Sequence, residues 1–93
     1  MINDLKILSH GKVTDLTNGF SLTDGKCFSV CVVPKTATMD LGLTVNCRLI
    51  CDGESSPLPV FFNDWAPAKI QYIAPNAISL ADYDVYWGAH ETI

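Results

Sequence analysis

The sequence CFSVC at residues 27–31 and the sequence CRLIC at residues 47–51 decide the predicted fold, because each places two cysteines four residues apart. Residues separated by an even number lie on one face of a β-strand, so each cysteine pair would share a face. The spacing is symmetric, and one antiparallel register would place Cys27 opposite Cys51 and Cys31 opposite Cys47. We therefore predict that these two segments pair directly at the centre of the molecule.

The sequence leaves two states open for these four cysteines. Cysteines four residues apart on one strand are about 13 Å from each other, which is too far for a disulfide within a segment or for one shared zinc ion. Disulfides Cys27–Cys51 and Cys31–Cys47 fit the predicted register, whereas a reducing cytosol would keep buried free thiols. We expect no metal site and no cofactor.

Alternating apolar and polar residues predict further strands. Residues 27–33 are apolar on both faces, which is typical of a central strand. Residues 39–51 alternate almost without a break and predict a long strand with one solvated face. The apolar face of that strand would carry Met39, Leu41, Leu43, Val45, Cys47, Leu49 and Cys51. Shorter strands are predicted at 57–62, where two prolines indicate a sheet edge or the entry to a strand, at 69–73 and at 82–87.

No segment shows sustained helical periodicity, so we predict an all-β fold. The expected architecture is a small antiparallel β-sandwich or barrel of six to eight strands. Residues 1–26 are predicted to form an extended N-terminal arm that lays one or two short strands on the body, and residues 27–93 the β-sandwich body of a single domain. Glycine-centred turns are predicted in the arm at residues 10–12, 17–19 and 23–26.

Composition excludes several classes of function. The 93 residues carry a net charge of −4 with only six Lys and Arg, which disfavours nucleic-acid binding. No apolar run reaches the roughly 18 residues of a membrane span. The N-terminus lacks the pattern of a signal peptide. We expect a protein made in the cytoplasm, with no nucleic-acid and no membrane partner.

The polar residues do not suggest an active site. Asp82 and Asp84 share a strand face, but a calcium site would need more oxygen ligands and a glycine bend. His10 and His90 have no nucleophile beside them in sequence. We therefore expect that the chain is not an enzyme.

Three short stretches carry a family resemblance. Residues 57–62 (PLPVFF), 70–73 (IQYI) and 83–88 (YDVYWG) resemble the C-terminal half of small virion proteins of tailed bacteriophages, and residues 14–16 (TDL) resemble their N-terminal arm. The similarity is one of layout, over roughly residues 12–88. It implies a non-enzymatic structural protein of the virion, such as a capsid decoration, spike-base or neck component. Such a protein would form a homo-oligomer, with a trimer favoured, and bind other virion proteins.

The mean hydropathy of +0.22 agrees with assembly, since so small a core leaves apolar residues at the surface. The predicted interface residues are Ile2, Leu5, Ile7, Leu8, Phe61, Phe62, Trp65, Tyr86 and Trp87. The alternative is a ligand-binding β module that recognises a carbohydrate or peptide with an aromatic surface. That surface would be built from Trp65, Trp87, Tyr72, Tyr83 and Tyr86.

Overall fold

A computed structural model of the chain describes residues 7–23, 25–50 and 52–90, and within them the regular structure is entirely β. The strands are β1 (Ile7–Lys12), β2 (Phe28–Pro34), β3 (Gly42–Leu49), β4 (Ser56–Phe61), β5 (Ile70–Ile73) and β6 (Tyr83–His90). The predicted all-β class with six to eight antiparallel strands is confirmed.

The strands form one sheet in the order β1-β6-β2-β5-β3-β4, and each pair of neighbours is antiparallel. The junction in the middle is narrow, because β2 and β5 share only the residue pair Phe28–Ile70. The sheet therefore consists of two three-stranded halves, β1-β6-β2 and β5-β3-β4, whose named strands share a single residue pair.

The two halves bury their apolar faces against each other. One cluster contains Phe28, Val30, Val32 and Val85 from the first half and Val45, Cys47, Val60, Ile70 and Ile73 from the second. The fully buried branched side chains alternate along their strands, as expected of residues that point into the space between two packed layers. The sheet thus closes over a single core in the manner of a small sandwich.

The predicted pairing of the two cysteine segments is wrong. Strand β5 lies between β2 and β3, and because both pair with it antiparallel, β2 and β3 run parallel to each other. Cys31 faces Tyr86 across the β2–β6 ladder, whereas Cys47 is paired with Ile73 and Ser56. An even spacing fixes which face of a strand a residue occupies, but it does not choose the partner strand.

The cysteines accordingly occupy different environments. Cys27, Cys31 and Cys47 are free thiols. Cys47 points into the core, and Cys31 lies half-buried on the opposite side of its own sheet half. The predicted pair Cys31–Cys47 is therefore not brought together, and the pair Cys27–Cys51 lies partly outside the described residues.

The faces of β3 were predicted correctly, but its start was not. Val45 and Cys47 are fully buried while Thr44 and Asn46 are exposed. The strand begins at Gly42, so Met39 and Leu41 lie beyond the last residue pair of the β3–β4 ladder. Met39 is 99% exposed and Leu41 78% exposed, which corrects their assignment to the core face.

The N-terminal region differs from the prediction at one of its glycines. Gly11 lies inside β1 rather than in a turn, and it pairs with Trp87 on β6. A Cβ atom at Gly11 would stand 2.9 Å from the indole Nε1 of Trp87, so this glycine permits a close approach of strand and ring. The predicted turn at Asn18-Gly19 is present, with Gly19 at φ +81°, and β1 is a short strand of the predicted kind.

Candidate functional site

The candidate site is a groove of about 370 Å³ between strand β4 and the segment that follows it. We call it the β4 groove. It is lined by Leu58, Pro59, Val60, Phe61, Asp64, Trp65, Ala66, Pro67 and Ala68. The lining is apolar apart from Asp64, which is the single ionisable residue among these nine.

The far wall of the groove is fixed by hydrogen bonds to β2. After β4 the chain crosses to the other half of the sheet, where Asn63 N–H donates to Val32 O and Ala66 N–H donates to Val30 O, each over 2.9 Å. The buried hydroxyl of Ser29 donates to Ala66 O. Asn63 adopts φ +61°, a conformation that asparagine tolerates better than most residues, and so allows the sharp exit from β4.

The near wall is the outer edge of strand β4, which presents few backbone N–H donors. Phe62 N–H donates to Leu41 O, which shows that even-numbered residues of this stretch direct their backbone groups toward β3. The odd-numbered residues Pro57, Pro59 and Phe61 therefore direct theirs outward. Two of these three residues are prolines without an N–H, so the outer edge of β4 is a poor template for an added strand.

Phe61 stands at the rim of the groove with 67% of its surface exposed. The next residue, Phe62, turns the other way and stacks on Tyr83, with ring centroids 5.4 Å apart and an interplanar angle of 26°. The Phe62 ring therefore packs between the two sheet halves, whereas the Phe61 ring contacts solvent.

Trp65 contributes the groove's largest side chain, and its backbone lies along the edge of β2. Its backbone forms a bridge with Cys31, which in turn pairs with Tyr86. Burial raises the pKa of the Cys31 thiol, and the nearby Asp64 carboxylate adds to the shift. A thiol that keeps its proton is a weak nucleophile, so Cys31 is suited to packing rather than to covalent chemistry.

The predicted interface residues are only partly brought together. Ile2 and Leu5 lie outside the described residues, as do the side chains of Ile7 and Leu8, whose backbones belong to β1. Phe61 and Trp65 both line the groove, and Tyr86 is 36% exposed on β6. Phe62 and Trp87 are half-buried and pack against the core. The role of all nine residues in an interface stays a prediction.

The five aromatic residues considered for a ligand platform are spread over the molecule. Trp87 packs near Phe20, with ring centroids 6.2 Å apart, in the core. Tyr72 donates its hydroxyl to Asn18 O at 3.1 Å and lies under Arg48. The two tryptophans therefore do not form one surface, and only Trp65 lines the β4 groove.

Two lysines share one aspartate away from the groove. Lys12 Nζ lies 3.0 Å from Asp84 Oδ1 and Lys35 Nζ lies 4.0 Å from the same oxygen. This contact with Asp84 raises the pKa of Lys12. Asp82 instead accepts a hydrogen bond from the Ser79 hydroxyl. The two aspartates thus have different partners, as expected of a solvated strand end.

Within the described ranges, no three His, Cys, Asp or Glu side chains come close enough together to hold a metal ion. Over the same part of the chain, no helix has the length and apolar character needed to cross a membrane.

Sequence reasoning singled out Phe61 and Trp65 but missed the rest of the groove. Leu58, Ala66 and Ala68 were not recognised because their role depends on where the chain crosses from β4 to β2. The available signal was the stretch at residues 63–67, where turn-forming Asn63 and Asp64 precede Trp65 and Pro67 directly after the predicted strand.

No protein-family model, no curated protein and no solved structure matches this chain significantly.

Proposed function

We propose that this chain is a non-enzymatic structural protein that works by associating with copies of itself. The observation that carries the proposal is the exposed Phe61 ring beside the apolar β4 groove. A large apolar side chain left in water costs about 1.5 to 3 kcal/mol relative to full burial, and a groove with few charges lowers the cost of covering it. The site offers contact area rather than reacting groups.

The setting we propose is the virion of a tailed bacteriophage, as a capsid decoration, spike-base or neck component. This part of the proposal is supported by the sequence resemblance of residues 57–62, 70–73 and 83–88. These residues correspond to β4, β5 and the greater part of β6, so the resemblance covers the edge strand with the exposed phenylalanine. Other virion proteins would then bind to the assembled form.

A second candidate is a module that binds a small apolar ligand in the β4 groove. Its volume of about 370 Å³ lies in the range of small-molecule sites, and Trp65 is a suitable stacking partner. This candidate predicts a monomer whose Trp65 fluorescence changes when an apolar ligand is added. Of the aromatic residues considered for a carbohydrate or peptide surface, Trp65 is the one that lines this groove.

Sedimentation equilibrium of the purified chain tests the proposal. Concentrations from about 1 to 100 µM detect association free energies of about 5 to 8 kcal/mol. We expect a closed oligomer whose mass is a small multiple of 10.2 kDa. A monomer throughout this range would contradict self-association and favour the ligand-binding candidate.

A further inference from the structure

We propose that Asn18 is a site of spontaneous deamidation whose rate is set by how often the turn around it detaches from strand β5. Of the five asparagines in the chain, Asn18 is the one that precedes a glycine. The backbone nitrogen of a glycine approaches the asparagine side chain most easily, because no Cβ atom stands in the way. The exposed Asn18 side chain is also open to water. This inference is independent of self-association.

The reaction needs only this chain and water. The backbone nitrogen of Gly19 attacks Cγ of Asn18, so that a new N–Cγ bond forms and the Cγ–Nδ2 bond breaks. The amide proton of Gly19 passes through water to the leaving nitrogen, which departs as ammonia and leaves a succinimide ring. A water molecule then opens the ring at either carbonyl group. The products are aspartate and isoaspartate, both negatively charged, and isoaspartate also lengthens the backbone by the Cβ atom.

The folded structure holds Asn18 in a shape that prevents ring closure. Gly19 N–H donates to Leu16 O over 3.1 Å and closes a turn over two residues. Those two residues, Thr17 and Asn18, have negative φ, which identifies a type I turn with ψ of about 0° at its third residue. The ring closes only when ψ of Asn18 rotates far from this value. That rotation breaks the hydrogen bond of the turn.

Contacts with β5 and with the core hold segment 16–20 in place. Phe20 and Ile73 exchange two backbone hydrogen bonds, over 3.0 Å and 2.8 Å. The Tyr72 hydroxyl donates to Asn18 O over 3.1 Å, and the Leu16 side chain is only 3% exposed. Deamidation therefore requires the segment to open first. The observed rate equals the rate in the open state multiplied by the open fraction.

Isoaspartate at position 18 should prevent the segment from docking again. Its extra backbone atom lies between Leu16 and Gly19, so the turn cannot recover its hydrogen bond and present the same carbonyl oxygen to Tyr72. Opening is reversible in the unmodified chain and becomes permanent after the modification. Asn18 thus acts as a slow one-way switch for segment 16–20.

The first test compares deamidation of the wild type and of Tyr72→Phe by mass spectrometry of the peptide that contains residue 18. The variant keeps the ring near Arg48 but loses the hydroxyl bond to Asn18 O. Deamidation of the folded variant should therefore be about two- to tenfold faster than that of the wild type. In guanidinium chloride the two rates should be equal. The unfolded wild type should react at least about tenfold faster than the folded one.

Tyr86→Phe is the matched control for the loss of a hydroxyl. Tyr86 is a 36% exposed tyrosine whose ring lies 6.0 Å from Lys12 Nζ. Its substitution should leave the deamidation rate of the folded protein unchanged within about twofold.

The second test measures hydrogen exchange at the amides of Phe20 and Ile73. The purified isoaspartate form should exchange at least about tenfold faster than fresh wild type at both amides. Asn18→Asp carries the same charge without the extra backbone atom, and it should match the wild type within about threefold. The Ala66 amide, which donates to Val30 O, should exchange equally in all three proteins.

The outcomes decide the proposal. Faster deamidation of folded Tyr72→Phe, with equal rates in the unfolded chains, supports control by detachment from β5. A folded wild type that reacts as fast as the unfolded chain overturns the proposal, and so does a Tyr72→Phe rate that is unchanged or lower. Unchanged exchange at Phe20 in the isoaspartate form overturns the one-way switch.

Discussion

Phe61 and Phe62 are neighbours in the chain, yet they belong to different parts of the molecule. Phe62 stacks on Tyr83 of β6 at a centroid distance of 5.4 Å, and Phe61 is 67% exposed at the rim of the β4 groove. The alternation of side chains along an extended strand produces this division. One ring therefore contributes to folding, and the other is available for binding.

This division predicts opposite effects of two alanine substitutions. Phe62→Ala should lower the free energy of unfolding by about 2 to 3 kcal/mol, because it removes a half-buried ring from between the sheet halves. Phe61→Ala should change the stability of the monomer by less than about 0.5 kcal/mol. Urea unfolding at low protein concentration measures both. Equal losses for the two variants would show that Phe61 is also packed in the folded monomer.

Two glycines with positive φ, Gly19 and Gly25, allow matched alanine substitutions that test how the N-terminal region is packed. Gly19, at φ +81°, has no room for a Cβ atom, which would lie 2.6 Å from Ile73 O and also meet the Tyr72 ring. Gly25, at φ +74°, has open space around it. Gly25→Ala should cost about 1 to 2 kcal/mol for the left-handed conformation alone. Gly19→Ala should cost at least about 1 kcal/mol more, because the backbone near Ile73 must shift.

Thermal unfolding of both variants measures that difference. If Gly19→Ala were as stable as Gly25→Ala, the segment around residue 19 would not be packed on β5 as the structure shows.

The buried thiol of Cys47 gives a prediction about pH. Burial raises its pKa above the ordinary value of 9.0, and Asp52 acts in the same direction. The folded protein therefore keeps this proton to higher pH than the unfolded chain does. The stabilisation is complete below about pH 9 and is lost as the pH rises through the folded-state pKa.

Urea unfolding of the wild type and of Cys47→Ala at pH 7.5 and pH 10 isolates this effect. The stability advantage of the wild type over Cys47→Ala should be smaller at pH 10. An advantage that stays constant or grows with pH would contradict the buried position of the thiol.

The prolines of β4 are expected to protect the sheet edge. The double variant Pro57→Thr/Pro59→Thr would restore two outward N–H groups, and the edge would then resemble one that adds strands readily. We expect faster aggregation, measured by light scattering and thioflavin fluorescence at constant concentration. Pro75→Thr, in an exposed turn, is the control and should not accelerate aggregation. Equal rates for the double variant and the control would argue that the β4 edge is covered by other means.

Local pattern predicted the faces of the strands well. Val30 and Val32 on β2, and Val45 and Cys47 on β3, are buried as their alternation indicates. Strand β4 lies at an edge of the sheet, which is one of the two positions that its prolines indicated. Each of these properties depends on residues that are close together in the chain, and for that reason the sequence reveals them.

The choice of which strands pair depends on residues that are far apart in the sequence, so local patterns could not predict it. Lys12 pairs with Tyr86 and Cys31 pairs with the same tyrosine, although these residues come from three separate parts of the chain. The symmetric cysteine spacing suggested a hairpin-like pair, but it contains no information about β5, which separates the two strands. The β4 groove was missed for the same reason, because its far wall is positioned by hydrogen bonds to β2.

The most direct test of self-association is photo-crosslinking from position 61. A benzophenone side chain replaces Phe61, and copies with natural nitrogen isotopes are mixed with copies labelled with ¹⁵N before illumination. Because Phe61 also lines its own groove, products of mixed isotope mass distinguish contacts between copies from contacts within one copy. We predict crosslinked products of mixed isotope mass. Crosslinks confined to single copies would contradict self-association through the surface around Phe61.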